Sequence, residues 1–261
     1  MKKNLLIGAA VALFAASLSY AAPYSDPFNS IDPGWVTDRR EPASFTSAFF
    51  DGDNRLKITA SGVTEASPYD STFYRTQGRQ HQALVTGPWT LTGQIYISSD
   101  FLTGNTLRRG DIWGRTGLVG DETGADYSIM GFRRFDPADP FNTLASNIST
   151  TWRVWDASTV NGWVDLAAPV TGGWHTLSMS YDGLTSLTYG LDNASVYTKA
   201  VVGPLAAQFT TMFAETYNFG PVNGNYDVYF DNMTVAVPEP SSLALLGIGS
   251  LAIAQRIRRR K

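Results

Sequence analysis

Trp152-Arg153-Val154-Trp155 is the stretch whose residue types and spacing come closest to a binding chemistry. Side chains of an extended strand alternate between faces, so Trp152 and Val154 share one face and Arg153 and Trp155 the other. With Val154 turned inward, Trp155 and Arg153 point out. Trp163 can join Trp155 from across a hairpin. A flat aromatic ring beside a guanidinium fork can stack on a sugar while the fork hydrogen-bonds its hydroxyls. Large aromatics also fill β cores, and that reading stands beside the first.

Asp231 is the candidate metal ligand. Alternation through Tyr229-Phe230-Asp231-Asn232-Met233 places Asp231 on the face of Tyr229, Met233 and Val235. An inward carboxylate is costly unless it is paired or metal-bound. Calcium prefers hard oxygen ligands. A structural calcium held by Asp231, with Asp26 or carbonyls near Phe28, is one expectation; an arginine partner or a wet strand end is the alternative. Asp51-Gly52-Asp53-Asn54 reads as a turn, because a calcium loop needs a later glutamate that is missing. The two histidines serve no catalytic arrangement. His175 shares a face with Leu177, Met179 and Tyr181 and is expected in the core, and His81 is expected at the surface. No His-Glu-x-x-His, phosphate loop or Gly-x-Ser-x-Gly occurs.

The elements that must position these residues are short strands. Residues 56–60, 91–97, 127–132, 151–156, 162–166, 174–181, 187–191, 196–197 and 226–235 alternate or are bounded by turn residues. Only 204–212 suggests a short helix. Asp192-Asn193 is a hairpin turn, since Asn tolerates positive φ. Many short strands punctuated by Gly, Pro, Asn and Asp indicate an all-β, two-sheet antiparallel sandwich. The runs GWHTLSMSYDG (173–183), LTYGLDNASV (187–196) and VYFDNMTV (228–235), with the opening DPFNSIDPGW (26–35), resemble the concanavalin A-like and laminin-G-like jelly-roll sandwiches. The departure is Asp192-Asn193, where that group has Asp-Gly. The resemblance implies binding of sugars or proteins. Hydrolases of that fold carry Glu-x-Asp-x-x-Glu on one strand, and none of Glu41, Glu65, Glu122 or Glu215 sits in such a pattern. The expectation is therefore a non-enzymatic core that binds carbohydrate or exopolysaccharide. The alternatives are a glycan-active hydrolase and a purely structural surface protein. An acidic pair across a cleft would favour the hydrolase, and an exposed aromatic strip the binder.

Both ends read as addresses. Lys2 and Lys3 precede an apolar stretch, Leu5 to Leu18, and small residues at Ala21 and Ala22, the pattern of a signal peptide over 1–21. The last 25 residues, VPEPSSLALLGIGSLAIAQRIRRRK, join Pro238-Glu239-Pro240 to an uncharged run and then to Arg256, Arg258, Arg259, Arg260 and Lys261. This resembles the PEP-CTERM sorting signal. The resemblance implies processing by an exosortase-type membrane protease, with transient anchoring through a short transmembrane helix before delivery to the surface. The uncharged run is short against the roughly 20 residues of a full span. The expected division is 1–21, 22–236 and 237–261.

Between these ends, thirteen basic residues face twenty-two acidic ones, near −9. That balance argues against nucleic acid, or an anionic polysaccharide, as a simple electrostatic partner. It suits a secreted domain, a cation site or a neutral sugar. There is no cysteine, so core packing has to carry stability.

The two address segments predict that the surface form begins at Ala22 or Pro23 and has lost everything beyond about Pro240. Intact-mass spectrometry of protein from the native host checks this. A surface form that keeps the arginine-rich tail would overturn it.

Overall fold

A computed structural model of the chain describes residues 20–63, 75–104, 106–118, 125–135, 148–201, 204–221 and 223–238. Residues 1–19 of the expected signal segment and most of the C-terminal tail, including both expected terminal helices, lie outside the described residues. Residues 22–237 make one compact unit.

Fifteen strands account for almost all of its regular structure among the described residues. They run β1 (Tyr20–Asp26), β2 (Val36–Thr37), β3 (Ser44–Phe50), β4 (Asp53–Ala60) and β5 (Thr76–Thr86). Next come β6 (Trp89–Ile97), β7 (Arg108–Thr116), β8 (Asp126–Phe135), β9 (Ser149–Trp155) and β10 (Trp163–Asp165). The last are β11 (Gly173–Tyr181), β12 (Ser186–Leu191), β13 (Ala194–Ala200), β14 (Gln208–Tyr217) and β15 (Tyr226–Pro238). The first sheet has the order β13-β12-β11-β6-β15-β4-β3, with β1 also on β15. The second has the order β10-β9-β8-β7-β14-β5-β2. The strand pairings described within both sheets are antiparallel. The fold is thus the all-β sandwich the turn spacing predicts.

Local chemistry sets the tight turns. Phe50 pairs with Asp53 and Leu191 with Ala194, which leaves two-residue loops. Asp51 and Gly52 have φ of 50° and 85°, and Asp192 and Asn193 have 49° and 69°. Two successive positive φ values match the right-handed twist of the flanking strands. The expected helix at 204–212 is instead a 3-10 turn, Pro204–Ala207, that runs straight into β14.

β6 shows how the core is built. Trp89, Leu91, Gly93, Ile95 and Ile97 face in, and the residues between them face out. β11 repeats the pattern with His175, Leu177, Met179 and Tyr181 inward. His175 sits in the core as expected, its Nδ1 2.7 Å from Asp192 and its ring 5.1 Å from that of Trp152. His81 departs from expectation: its ring stacks on Tyr24 at 4.0 Å and is largely covered. The second sheet differs in kind. β7 and β14 are buried on both faces. One face packs into the sandwich core, and the other forms a separate cluster of Trp113, Ile129 and Phe213.

Trp152 and Trp155 test this division. Trp152 is fully buried in the core, against Phe132 and His175. Trp155 keeps solvent contact on the opposite face. Trp152→Ala is expected to lose about 3–5 kcal/mol in a urea denaturation series, the cost of deleting a buried aromatic. Trp155→Ala is expected to lose clearly less. Equal losses would mean the two faces of β9 are misassigned.

Candidate active site on the outer face of the second sheet

The sheet register lines up one row of residues across six strands. Gly78 of β5 pairs with Glu215 of β14, and Glu215 with Asp111 of β7. Asp111 pairs with Gly131 of β8, Gly131 with Arg153 of β9, and Arg153 with Asp165 of β10. Residues opposite one another on antiparallel strands share a face, with Cβ atoms about 4.5–5.5 Å apart. The Cβ atoms of Glu215 and Asp111 therefore lie side by side, with the Glu215 carboxyl turned over Gly78 and the Asp111 carboxyl over Gly131.

The glycines make room for them. A Cβ on Gly78 would stand 2.7 Å from Glu215 Oε2, and one on Gly131 would collide with Asp111 Oδ1. Real Cβ atoms do not approach so closely, so both acids lie flat over positions that only glycine leaves open.

Arginines and aromatics frame the pair. Arg109 forms an ion pair with Asp111 Oδ2, and Arg153 Nη2 is 3.6 Å from the same oxygen. The Arg153 guanidinium lies over Trp163 at 3.6 Å. Arg109 lies between Trp163 at 5.3 Å and Tyr217 at 5.1 Å. Arg133, opposite Arg109 in register, holds both oxygens of Asp165 at 2.9 and 3.1 Å. Trp155 and Trp163 pair across β9 and β10, edge to face at 5.1 Å.

The row runs from solvent to interior. Asp165 is 49% exposed at its side chain, Arg153 4%, and Asp111 and Glu215 not at all. At the closed end, backbone hydrogen bonds join Gly78 to Asp38 and Arg40. These lay residues 38–40 beside the row. Arg39 pairs with Asp38 and covers the rings of Trp113 and Tyr127 at 4.9 and 5.6 Å.

Several buried polar atoms of this row have no hydrogen-bond partner among the described residues. They are both oxygens of Glu215, Oδ1 of Asp111, and Nε and Nη2 of Arg153. Burial pushes the Glu215 carboxyl well above the usual range, and the negative charges of Asp38 and Asp111 add to this against the pull of Arg39 and Arg109. Burial also pulls the Arg153 guanidinium well below its ordinary value, helped by the neighbouring charge of Arg109. A carboxyl pushed toward its neutral form near a second carboxyl is a pairing that acid-base chemistry on a glycosidic bond can use.

Of the residues singled out in the sequence, Arg153, Trp155 and Trp163 come together on this face. Arg153 faces away from the core as expected, but it is enclosed rather than exposed. Glu215, Asp111, Arg109, Arg133 and Asp165 were missed. Arg109, Asp111 and Arg115 share one face of β7 with Trp113, so that face shows no apolar alternation.

The expected metal ligands have other partners. Asn232 has φ 49°, and the pairing of β15 shifts between Asp231 and Thr234. This bulge breaks the alternation. Asp231 thus departs from the expected face: it lies with Tyr229 on the outer side of the sheet, while Met233 and Val235 turn into the core. Its carboxylate pairs with Arg55 and accepts from Asn232 at 2.9 Å. Asp26 accepts from the Phe28 N–H at 2.7 Å and from Trp35 Nε1 at 2.8 Å. Among the described residues, no group of three or more His, Cys, Asp or Glu side chains is gathered for a metal ion.

The first sheet carries a second outward feature. Trp174, Tyr96 and Tyr229 form one cross-strand row, and Phe50 stacks on Tyr229 at 3.8 Å. All four are partly exposed.

Residues 236–260 match the PEP-CTERM protein-sorting motif. No curated protein matches the chain. Solved structures share its fold at low identity. A glycoside hydrolase family 16 endo-glucanase from Bacteroides ovatus is 13% identical, with a TM-score of 0.51 over 81% of this chain and 99% of its own. The catalytic domain of an endo-1,3-β-glucanase (laminarinase) from Thermotoga petrophila is 11% identical, at 0.50 over 86% and 100%. The CBM2 module of the evolved Dit of Lactobacillus casei BL23 phage J-1 is 13% identical, at 0.52 over 85% and 98%. The expectation of a non-enzymatic core is corrected at this point. The sandwich is one on which endo-glucanases are built, and the missing single-strand acidic motif does not exclude a carboxylate pair assembled from two strands.

Glu215 should leave a mark on stability. A carboxyl whose folded value lies above its ordinary 4.5 stabilises fully below that pH. This contribution is lost as pH rises toward the folded value. Wild-type stability is therefore expected to fall as pH rises above 4.5 relative to Glu215→Gln, whose curve should be flatter. Parallel curves in denaturant titrations across that range would show that Glu215 is not held neutral.

Proposed function

We propose that this exported protein takes hold of saccharide chains outside the cell on the outer face of its second sheet. The sorting motif at 236–260 marks export and exosortase processing. We further propose a signal peptide over 1–21, a sandwich over 22–236, and delivery to the surface after brief anchoring through the C-terminal segment. Among the described residues, no helix is long and apolar enough to cross a membrane.

The observation that carries the reading is the set of unpartnered buried atoms on Asp111, Glu215 and Arg153 next to Trp155 and Trp163. Buried polar groups are ordinarily satisfied. Here acceptors and donors stand ready beside two rings, the combination that hydroxyls and the apolar face of a sugar require. The polysaccharides of the cell's own exported matrix are the natural source of such chains.

A second reading, cleavage, is favoured by Glu215, pushed toward its neutral form, beside Asp111. Glu215 would give its proton to the leaving oxygen as the glycosidic bond breaks. Asp111 would stabilise or attack the anomeric carbon, and water would complete the hydrolysis.

Affinity electrophoresis against a polysaccharide panel, with assay of released reducing ends, separates these readings. Trp163→Ala and Trp155→Ala are expected to weaken binding by about 1–3 kcal/mol each, the range of interface hot spots. Retention that both variants leave unchanged would move the site off this face. If cleavage occurs, Glu215→Gln and Asp111→Asn should each abolish reducing-end release while retardation in the gel persists.

A further inference from the structure

Arg153 is built to receive an anion. Its guanidinium face rests on Trp163 at 3.6 Å, which leaves only the edges of the fork for hydrogen bonding. Nε and Nη2, the two donors along one edge, are both buried and both unpartnered. That edge matches the two oxygens of a carboxylate, which a guanidinium binds side-on through parallel hydrogen bonds. The nearest carboxylate oxygen, Asp111 Oδ2, is 3.6 Å away and already taken by Arg109. Asp165, the register partner of Arg153, is held by Arg133 through both its oxygens.

The local charge agrees. Arg109, Arg133 and Arg153 face Asp111 and Asp165, and burial pushes Glu215 toward its neutral form. Of the three guanidiniums, Arg153 is the one with both donors of one edge buried and without a hydrogen-bond partner among the described residues. Leaving buried donors of a cation unpartnered is costly, and a ligand carboxylate relieves that cost. The core's overall balance of near −9 argues against long-range attraction of polyanions. It does not govern a site where three guanidiniums meet behind two tryptophans.

Resting on the reading of this face as a saccharide site, we propose that its ligand is a uronic-acid-containing saccharide whose carboxylate sits on the Nε/Nη2 edge of Arg153. The sugar reaches Arg153 from the open end of the row, at Asp165, Trp155 and Trp163. Its hydroxyls fall toward Asp111 Oδ1 and Glu215.

Paired ligands test this with the purified protein. Oligogalacturonate, oligoglucuronate and oligomannuronate are each titrated beside their carboxyl-reduced, neutral counterparts, with dissociation constants from calorimetry. The expected result is that at least one uronate binds tenfold or more tightly than its reduced partner. Arg153→Gln removes that preference and leaves the two alike. Arg153→Lys, which keeps a charge without the fork, restores only part of it. Trp163→Ala weakens both members of the pair. Equal binding of uronate and reduced partner by the wild type overturns the carboxylate proposal but leaves the saccharide site standing. Binding of neither form, with the neutral polysaccharide panel also negative, overturns the saccharide site itself. A uronate preference that survives Arg153→Gln also overturns the proposal, because the carboxylate is then read elsewhere. The wild-type comparison needs no variant, so a misfolded Arg153→Gln protein does not blunt the test.

Discussion

The second sheet has to bury two acids next to each other, and much of its outer face follows from that constraint. Glu215 and Asp111 are direct neighbours on β14 and β7, with no exposure. Two ionised carboxylates so placed would repel strongly in a medium poor in water. The structure answers in three ways. Gly78 and Gly131 leave space for the acids to lie flat. Arg109 and Arg153 bring positive charge to Asp111. Glu215, left without a partner, is pushed toward its neutral form. The rings of Trp163 and Tyr217 then line the arginines, which are better suited than lysines to stacking.

This arrangement needs a sheet buried on both faces, and the sandwich supplies one. The inner faces of β7, β8 and β14 give Ile112, Met130, Phe132, Met212 and Ala214 to the core. Their outer faces carry the Trp113, Ile129 and Phe213 cluster and the charged row. Residues 38–40, tied to Gly78 by backbone hydrogen bonds, close one end. The other end stays in reach of solvent at Asp165, Trp155 and Trp163. The polar atoms of this row are fixed by the sheet register rather than by loops.

The two outer faces of the sandwich have different chemistry. On the first sheet, Trp174, Tyr96, Tyr229 and Phe50 form a partly exposed aromatic patch beside the Arg55–Asp231 pair. On the second, charge and aromatic rings are enclosed together. Two adjoining buried acids, Asp111 and Glu215, and a partly exposed aromatic patch are present on one domain. They lie on opposite sheets, so a single side-chain substitution can probe each without touching the other.

The sequence by itself determined the export signal, the fold class, the tight turns and the inward direction of His175. These depend on local chemistry: an uncharged run with a basic end, period-2 alternation, and residues that accept positive φ. It also placed Arg153, Trp155 and Trp163 on the same side, because a strand fixes the faces of its neighbours. It could not reveal β7 or β14 as the walls of a site. A strand buried on both faces shows no contrast between apolar and polar positions, and β14 lay hidden behind an apparent helix at 204–212. Nor could it show that Asp231 turns away from Met233, since one bulge at Asn232 inverts the alternation. Only the tertiary structure brought Glu215 to Asp111. They are far apart in the chain, and their pairing comes from the order in which β5, β14, β7, β8, β9 and β10 join one sheet. That order is set by long-range strand contacts, which no short window of sequence records.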